Sequence, residues 1–347
     1  MRGCSRATRK GRLMLVVRPA GPADLEALME LAVLSGRGFT SLPEDEAVLS
    51  ERLALSQQSF TGAIAPAEAW YTLMLTDGET GAVAGVAGVR AGVGIGRPHF
   101  SFRIVTLAQH SLATKTRFDH QALVLVNECA GWTEVGSLFV RADRRSGGAG
   151  SLLARSRYML IGADPLRFSH TVMSELRGWF DEDGRSPFWE GVSYKFYRIP
   201  FEQADHMVTA SDGQFILDLA PRHPIYVELI DHGAAEAIGR VHRDGEPALA
   251  LLEREGFERS GLVDIFDGGP TMTCARDSLA TVRGSRTLRL AIGHDVDGPQ
   301  YLLSSVAIPK FRATQAAAAI DDGMVTVDPQ TATALGLREG EAVRVNG

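Results

Sequence analysis

Residues 138–158 read LFVRADRRSGGAGSLLARSRY. A β-rich run ends there, Arg144 and Arg145 add positive charge, and Gly147-Gly148-Ala149-Gly150 lead into a helical pattern. Small residues let the backbone come close to a ligand, and the first free N–H groups of a helix beginning near Gly150 or Ser151 attract an anion. The segment reads as a phosphate cradle or as a glycine-rich solvent turn whose arginines face water, and the pattern leaves both open. It is not a nucleoside-triphosphate loop, because no Gly-Lys-Ser/Thr follows, and it lacks the spacing of a dinucleotide fingerprint.

Other reactive groups are dispersed. Cys4, Cys129 and Cys274 are too scattered for a short metal knuckle, and three is a poor disulfide count. A reducing, cytoplasmic setting is expected, and no Cys/His or glutamate-rich metal cluster is evident. Cys129 alone is near the loop-bearing strands and has no evident histidine beside it, which argues against a covalent acyl-cysteine. The chain has 347 residues, enough for two ordinary domains or one large one, with 45% hydrophobic and 22% charged content. Its formal charge of −6 argues against a general nucleic-acid binder. No apolar run approaches the roughly 18 residues of a membrane span.

The elements that must position this chemistry follow from periodicity. Residues 1–13 are basic and are expected to be a disordered arm. LMLVV then reads as a first strand, and Leu25, Leu28, Met29 and Ala32 mark one helix face. A Gly/Ser/Pro loop precedes a second helix with Leu49, Leu53 and Leu55 apolar. WYTLMLTDGETGAVAGVAGVR is a hairpin signal. After a polar stretch, HQALVLVNE and WTEVGSLFV read as strands, and SLLARSRYMLIGA as a helix. TVMSELRGWF reads as a strand and SPFWEGVSYKFYRI as a short helix entering a strand. PALALLEREGFERSGLVDIFDGGP repeats that helix–aromatic–strand plan as a weak internal echo. From about residue 280, short β-like runs predominate. The order is not a regular βαβ repeat, so an α/β fold with a mixed, mainly antiparallel sheet is expected.

The spacing Arg145-x-x-Gly148-x-Gly150 resembles the pyrophosphate loop of the GNAT superfamily of acyl-CoA-dependent N-acyltransferases. From Leu15 onward the chain resembles the arginine N-succinyltransferase family. The most specific points are TSLP at 40–43, ELRG at 175–178, SPFW at 186–189, HPIY at 223–226, IGRVH ending at His242, and DIFDGGP at 264–270.

This resemblance implies tandem GNAT-like units: an acyl-CoA-binding unit at 14–200, a second half at 201–279 contributing a catalytic histidine, and a small β-rich C-terminal region at 280–347. It implies succinyl transfer from succinyl-CoA, a co-substrate rather than a tightly bound cofactor, to the α-amine of L-arginine. Some members accept ornithine, and assembly as a homo- or hetero-oligomer with related subunits is expected. Leu138 falls at the family's succinyl-CoA position. The N–H groups of Gly148, Gly150 and Ser151 would hold the pyrophosphate, helped by Arg145. His242 matches the catalytic proton donor. Histidine suits proton transfer because its reference pKa is about 6.5.

A guanidinium substrate calls for a carboxylate able to accept two of its donors, for which Glu134, Glu175 and Asp267 are candidates. Thr40, Ser41 and Arg177 are candidates for the succinyl carboxylate. The chain departs from the family where Arg141-Ala142 replaces Asp-Pro after the CoA strand.

Overall fold

A computed structural model describes residues 14–36, 41–210 and 214–347. The basic arm, Cys4 and Thr40 lie outside these described residues.

Among the described residues, ten strands precede residue 280: β1 (Leu15–Pro19), β2 (Trp70–Asp77), β3 (Val83–Arg90), β4 (Ser101–Ser111), β5 (Thr116–Val126), β6 (Thr133–Val140), β7 (Thr171–Glu175), β8 (Ile225–Tyr226), β9 (Glu258–Asp264) and β10 (Pro270–Ala275). Six more follow: β11 (Ser285–Ile292), β12 (Gln300–Ser305), β13 (Ala313–Ala317), β14 (Ala319–Asp321), β15 (Met324–Val327) and β16 (Ala342–Asn346). They form one mixed sheet in the order β14-β15-β11-β16-β12-β13-β1-β2-β3-β6-β7-β10-β9-β4-β5-β8. Pairing is antiparallel except at β6–β7 and β11–β15. The fold is therefore mixed α/β with a mainly antiparallel sheet. The C-terminal strands join it because β13 pairs with β1.

The centre of the sheet is covered on both faces, which is why β2 is buried along almost its whole length. Helices α1 (Leu25–Ser35) and α2 (Glu46–Thr61) bury Leu28, Leu31, Leu49 and Leu53 against Met74, Val86 and Phe139 on one face. Asp45 caps α2 by accepting the Val48 N–H, and Gly62 ends it in a left-handed conformation. On the other face, α3 (Ala149–Ala163) buries Leu152, Leu153, Met159 and Leu160 against Tyr71, Leu73 and Val135. A third, aromatic core holds Phe102, Phe188, Trp189 and Tyr197.

Four local readings need correction. The polar stretch before HQALVLVNE contains β4, whose distal half is largely exposed and shows no apolar alternation; backbone pairing with β5 along its length holds it. SPFWEGVSYKFYRI enters no strand. It forms a π-helical turn over Trp189–Ser193 and then a helix over Tyr194–Tyr197, because Trp189, Val192 and Tyr197 bury at near-helical spacing. The internal echo therefore fails, since only the later segment pairs its helix, Glu246–Glu255, with a strand. TVMSELRGWF is strand only as far as Glu175. There ELRG interlocks with DGGP: a Cβ on Gly178 would lie 2.1 Å from the Asp267 carbonyl oxygen, and one on Gly269 would lie 2.0 Å from that of Leu176.

Candidate active site

β6 carries the site from one end to the other. Its parallel pairing with β7 covers only Thr133–Val172 and Glu134–Met173. Ser174 Oγ then donates to the Val135 carbonyl at 2.8 Å, after which β6 continues against β3 alone. A bulge at this point puts Ser137 at φ +50°, and its hydroxyl donates to the Ser41 carbonyl at 3.0 Å. The two strands thus splay into a cleft, with backbone of Gly136–Leu138 along one wall. Leu138 is half-buried and packs on the α3 core.

At the far end of β6 the glycine loop turns into α3. Gly147 and Gly148 have φ of +68° and +86°, a region that favours glycine. Gly148 is the N-cap and supplies no side-chain acceptor. Among the described residues, the N–H groups of Ala149, Gly150 and Ser151 meet no acceptor, as expected of an uncapped first turn. Arg145 Nε donates to the Val140 carbonyl at 3.0 Å, which stands its guanidinium beside the loop.

At the cleft's vertex sits a cluster of charges. Glu134 on β6 lies opposite Arg90 on β3, which lies opposite Trp70 on β2. The guanidinium carbons of Arg52 and Arg90 lie 4.4 and 5.4 Å from the centre of the Trp70 ring. Arg52 Nη1 donates to the Ser41 carbonyl at 2.5 Å, so the TSLP loop is tied to α2 as well as to β6. Burial, and then the charge of Glu175, raise the Glu134 pKa. Glu175 accepts from His99 Nε2 at 3.1 Å. Burial works against a charged His99, but the charge and hydrogen bond of Glu175 prevail and raise its pKa to about 9.

The His99–Glu175 pair has a testable consequence. A histidine whose pKa is raised on folding stabilises the native state fully below its unfolded value near 6.5, and that contribution is lost as pH rises through about 9. Unfolding free energies from urea titrations should therefore fall between pH 6.5 and 9 in the parent relative to His99→Gln, by at most about 3.4 kcal/mol. Parallel curves would remove this pair from the stability of the fold.

A second cluster lies where the chain leaves β7. His242 N–H donates to the Arg177 carbonyl at 2.9 Å, and Gly178 bridges to Val241. These contacts place the histidine beside ELRG. Its Nδ1 accepts the Asp244 N–H at 3.2 Å, so the neutral ring carries its proton on Nε2. Burial, reinforced by the positive charge of Arg177, lowers the His242 pKa. Arg177 lies over the Phe180 ring at 4.3 Å, and its buried Nε has no hydrogen-bond partner among the described residues.

Asp267 differs from the other acidic candidates. Its two oxygens accept the N–H groups of Gly178 and Gly269, each at 2.8 Å, and it holds the two glycine turns together. The structure thus gathers Glu134, Glu175 and the Ser41 backbone at the vertex, and Arg177, His242 and Asp267 beside it. Cys129 is buried, and burial, with the charge of Glu175 adding, pushes its thiol up to about 12, which disfavours a thiolate nucleophile. Sequence reasoning missed His99, Arg52, Arg90 and Trp70. Only the strand register, which aligns Trp70, Arg90 and Glu134, could have found the last two.

Comparison with known proteins gives this arrangement a family. The description "arginine N-succinyltransferase beta subunit" matches residues 15–281, and the C-terminal domain of that subunit matches residues 286–346. The arginine N-succinyltransferase subunit beta of Pseudomonas aeruginosa is 37% identical over 331 residues, covering 95% of this chain and 97% of the relative. The arginine N-succinyltransferase of Escherichia coli is 37% identical over 320 residues, covering 92% of this chain and 90% of the relative. Among solved structures, the arginine/ornithine succinyltransferase subunit AI from Pseudomonas aeruginosa superposes with a TM-score of 0.87 at 32% identity, covering 96% of this chain and 98% of that one. The class so defined is that of acyl-CoA-dependent N-acyltransferases. Within it, the chain belongs to the arginine N-succinyltransferase family.

Proposed function

We propose that the chain transfers a succinyl group from succinyl-CoA to the α-amine of L-arginine, giving N2-succinyl-L-arginine and free CoA. Family membership over almost the whole chain supports the reaction, and the observation that carries the site is the β6–β7 cleft running from an uncapped glycine loop to the half-buried Glu134 and Glu175. The N–H groups of Gly148, Gly150 and Ser151, with Arg145, hold the pyrophosphate. The pantetheine arm lies along the open edge of β6 at Leu138, binding through main chain, so the leucine side chain is not essential.

The amine nitrogen attacks the thioester carbonyl, the C–N bond forms, and the C–S bond breaks to release CoA. His242, with its proton on Nε2, donates a hydrogen bond to the charge that develops on the thioester oxygen or leaving sulfur. The proton lost from the amine passes to solvent or to a carboxylate, and the raised pKa of Glu134 suits that duty. Asp267 has both oxygens engaged by backbone N–H groups, whereas Glu175 accepts from His99 with one oxygen and keeps the other for the guanidinium. Ser41, Arg177 and the neighbouring Thr40 remain candidates for the succinyl end.

In this reading the acyl-CoA loop belongs to a GNAT-like unit at 14–200 and His242 to a second half at 201–279. Assembly with related subunits is suggested by relatives named as subunits. Buried, unpaired Cys129 and Cys274 fit a cytoplasmic location. Among the described residues, no helix is long and apolar enough to cross a membrane.

The test is steady-state CoA release with succinyl-CoA and acetyl-CoA against a panel of amines. Arginine with succinyl-CoA should be among the best pairs. A marked preference for ornithine, an acceptor named for the solved Pseudomonas aeruginosa relative, would move the acceptor assignment while keeping the reaction.

A further inference from the structure

We propose that Arg52 and Arg90, both held against the Trp70 ring, form the receptor for a substrate carboxylate at the vertex of the cleft. The inference rests on the succinyl-transfer reading and gives that site its anion-recognition element. Two substrate groups have the required chemistry: the distal carboxylate of the succinyl group and the α-carboxylate of the amino-acid acceptor.

The receptor is built by strand register and one helix. Trp70, Arg90 and Glu134 are cross-strand neighbours on the face of the sheet that α2 covers, and Arg52 reaches them from α2. The adjacent row on the same face is Thr72, Gly88 and Gly136. Two members of that row have no side chain. A Cβ on Gly88 would stand 3.4 Å from Trp70 Nε1 and 3.5 Å from Ser137 Oγ, and one on Gly136 would stand 3.3 Å from Glu134 Oε1. Neither glycine places a Cβ between Trp70, Ser137 and Glu134, so no side chain of that row intervenes beside the two guanidinium groups.

Charge and hydrogen bonding favour an anion there. Two arginines face a single carboxylate, Glu134, while the nearby Glu175 is taken by His99. A guanidinium has five N–H donors. Arg52 uses one on the Ser41 carbonyl, and the described residues provide no second hydrogen-bond acceptor for it. A structural arginine elsewhere in this chain differs: Arg276 donates to the carbonyls of Pro165 and Phe168 and to the carboxylate of Asp277. Burial, only partly offset by the charge of Glu134 and reinforced by that of Arg90, lowers the Arg52 pKa to about 10, so further negative charge beside it would be favourable. A substrate carboxylate would supply that charge and accept a fork of donors.

The experiment uses Arg52→Gln and Arg90→Gln, with Arg177→Gln for comparison. Two ratios are read for each protein. One is kcat/KM for succinyl-CoA over butyryl-CoA, a four-carbon acyl group without the distal carboxylate. The other is kcat/KM for arginine over agmatine, which is arginine without its carboxylate. Where an analogue lacking the carboxylate gives no turnover, dissociation constants replace rates. Affinity for free CoA reports that a variant is folded.

With free-CoA affinity unchanged, one ratio should fall about 100-fold in Arg52→Gln and also fall in Arg90→Gln. Collapse of the first assigns the succinyl carboxylate, and collapse of the second assigns that of the amino acid. Survival of both ratios in both variants overturns the proposal, as does collapse in Arg177→Gln alone. Absence of any succinyl transfer by the parent protein would instead sink the underlying functional reading. The dissociation constants would still test the receptor.

Discussion

Replacing His242 with alanine should lower kcat by about two to four orders of magnitude while leaving the dissociation constant of succinyl-CoA essentially unchanged. The imidazole sits at the rim of the cleft with its side chain 15% exposed, and the ring's hydrogen bond is accepted at Nδ1 from the Asp244 backbone. Truncation therefore removes the group proposed to donate to the reacting atoms, without emptying a core. The proposed binding elements for CoA lie on β6 and α3, so affinity for the donor should survive.

The pH dependence follows from the same geometry. Burial and Arg177 both oppose protonation of the ring, so His242 stays neutral, with Nε2–H available, to a pH below the ordinary histidine range. The acidic limb contributed by this group in kcat/KM should accordingly fall below pH 6.5 and disappear in His242→Ala. Turnover that survives the substitution would remove the histidine from the chemistry.

Gly148→Val should raise the dissociation constant of succinyl-CoA by about 10- to 100-fold, with a much smaller effect on kcat at saturating donor. The cause is conformational. At φ +86° a β-branched residue is strained, and a Cβ there would have only Gln315 Oε1 nearby, at 3.7 Å. The loop relieves the strain by turning its N–H groups away from a common focus. Gly150→Ala provides the contrast. Gly150 is in the first turn of α3 and nothing lies within 4 Å of an added Cβ, so donor affinity should change little. The helix should gain about 0.5–1 kcal/mol. Equal damage from both substitutions would argue for general disruption of the loop.

Parts of this candidate site are legible in the sequence. The glycine loop was readable because its requirement is local: consecutive left-handed residues followed by a helix start. His242 was identifiable through its motif. What stayed hidden depended on pairings between distant segments. Arg52, Arg90 and His99 belong to a helix, a strand and a loop, and only the β2–β3–β6 register with the β6–β7 splay brings them around Glu134 and Glu175. Nothing in RPHF or SERL announces that role. Asp267 shows the converse. Its motif marked it for chemistry, while its oxygens fasten two glycine turns that tolerate no Cβ.

The same distinction explains the fold-level errors. Strand β4 escaped because its outer half is wet on both faces, and SPFWEGVSYKFYRI misled because aromatic residues favour strands unless burial falls at helical spacing.

The most direct test of the central claim is the structure of the product formed from succinyl-CoA and L-arginine. Nuclear magnetic resonance of the purified product should show the succinyl amide on the α-nitrogen, formed one for one with free CoA. Succinylation of the guanidinium, or CoA release that yields free succinate without an arginine adduct, would contradict it.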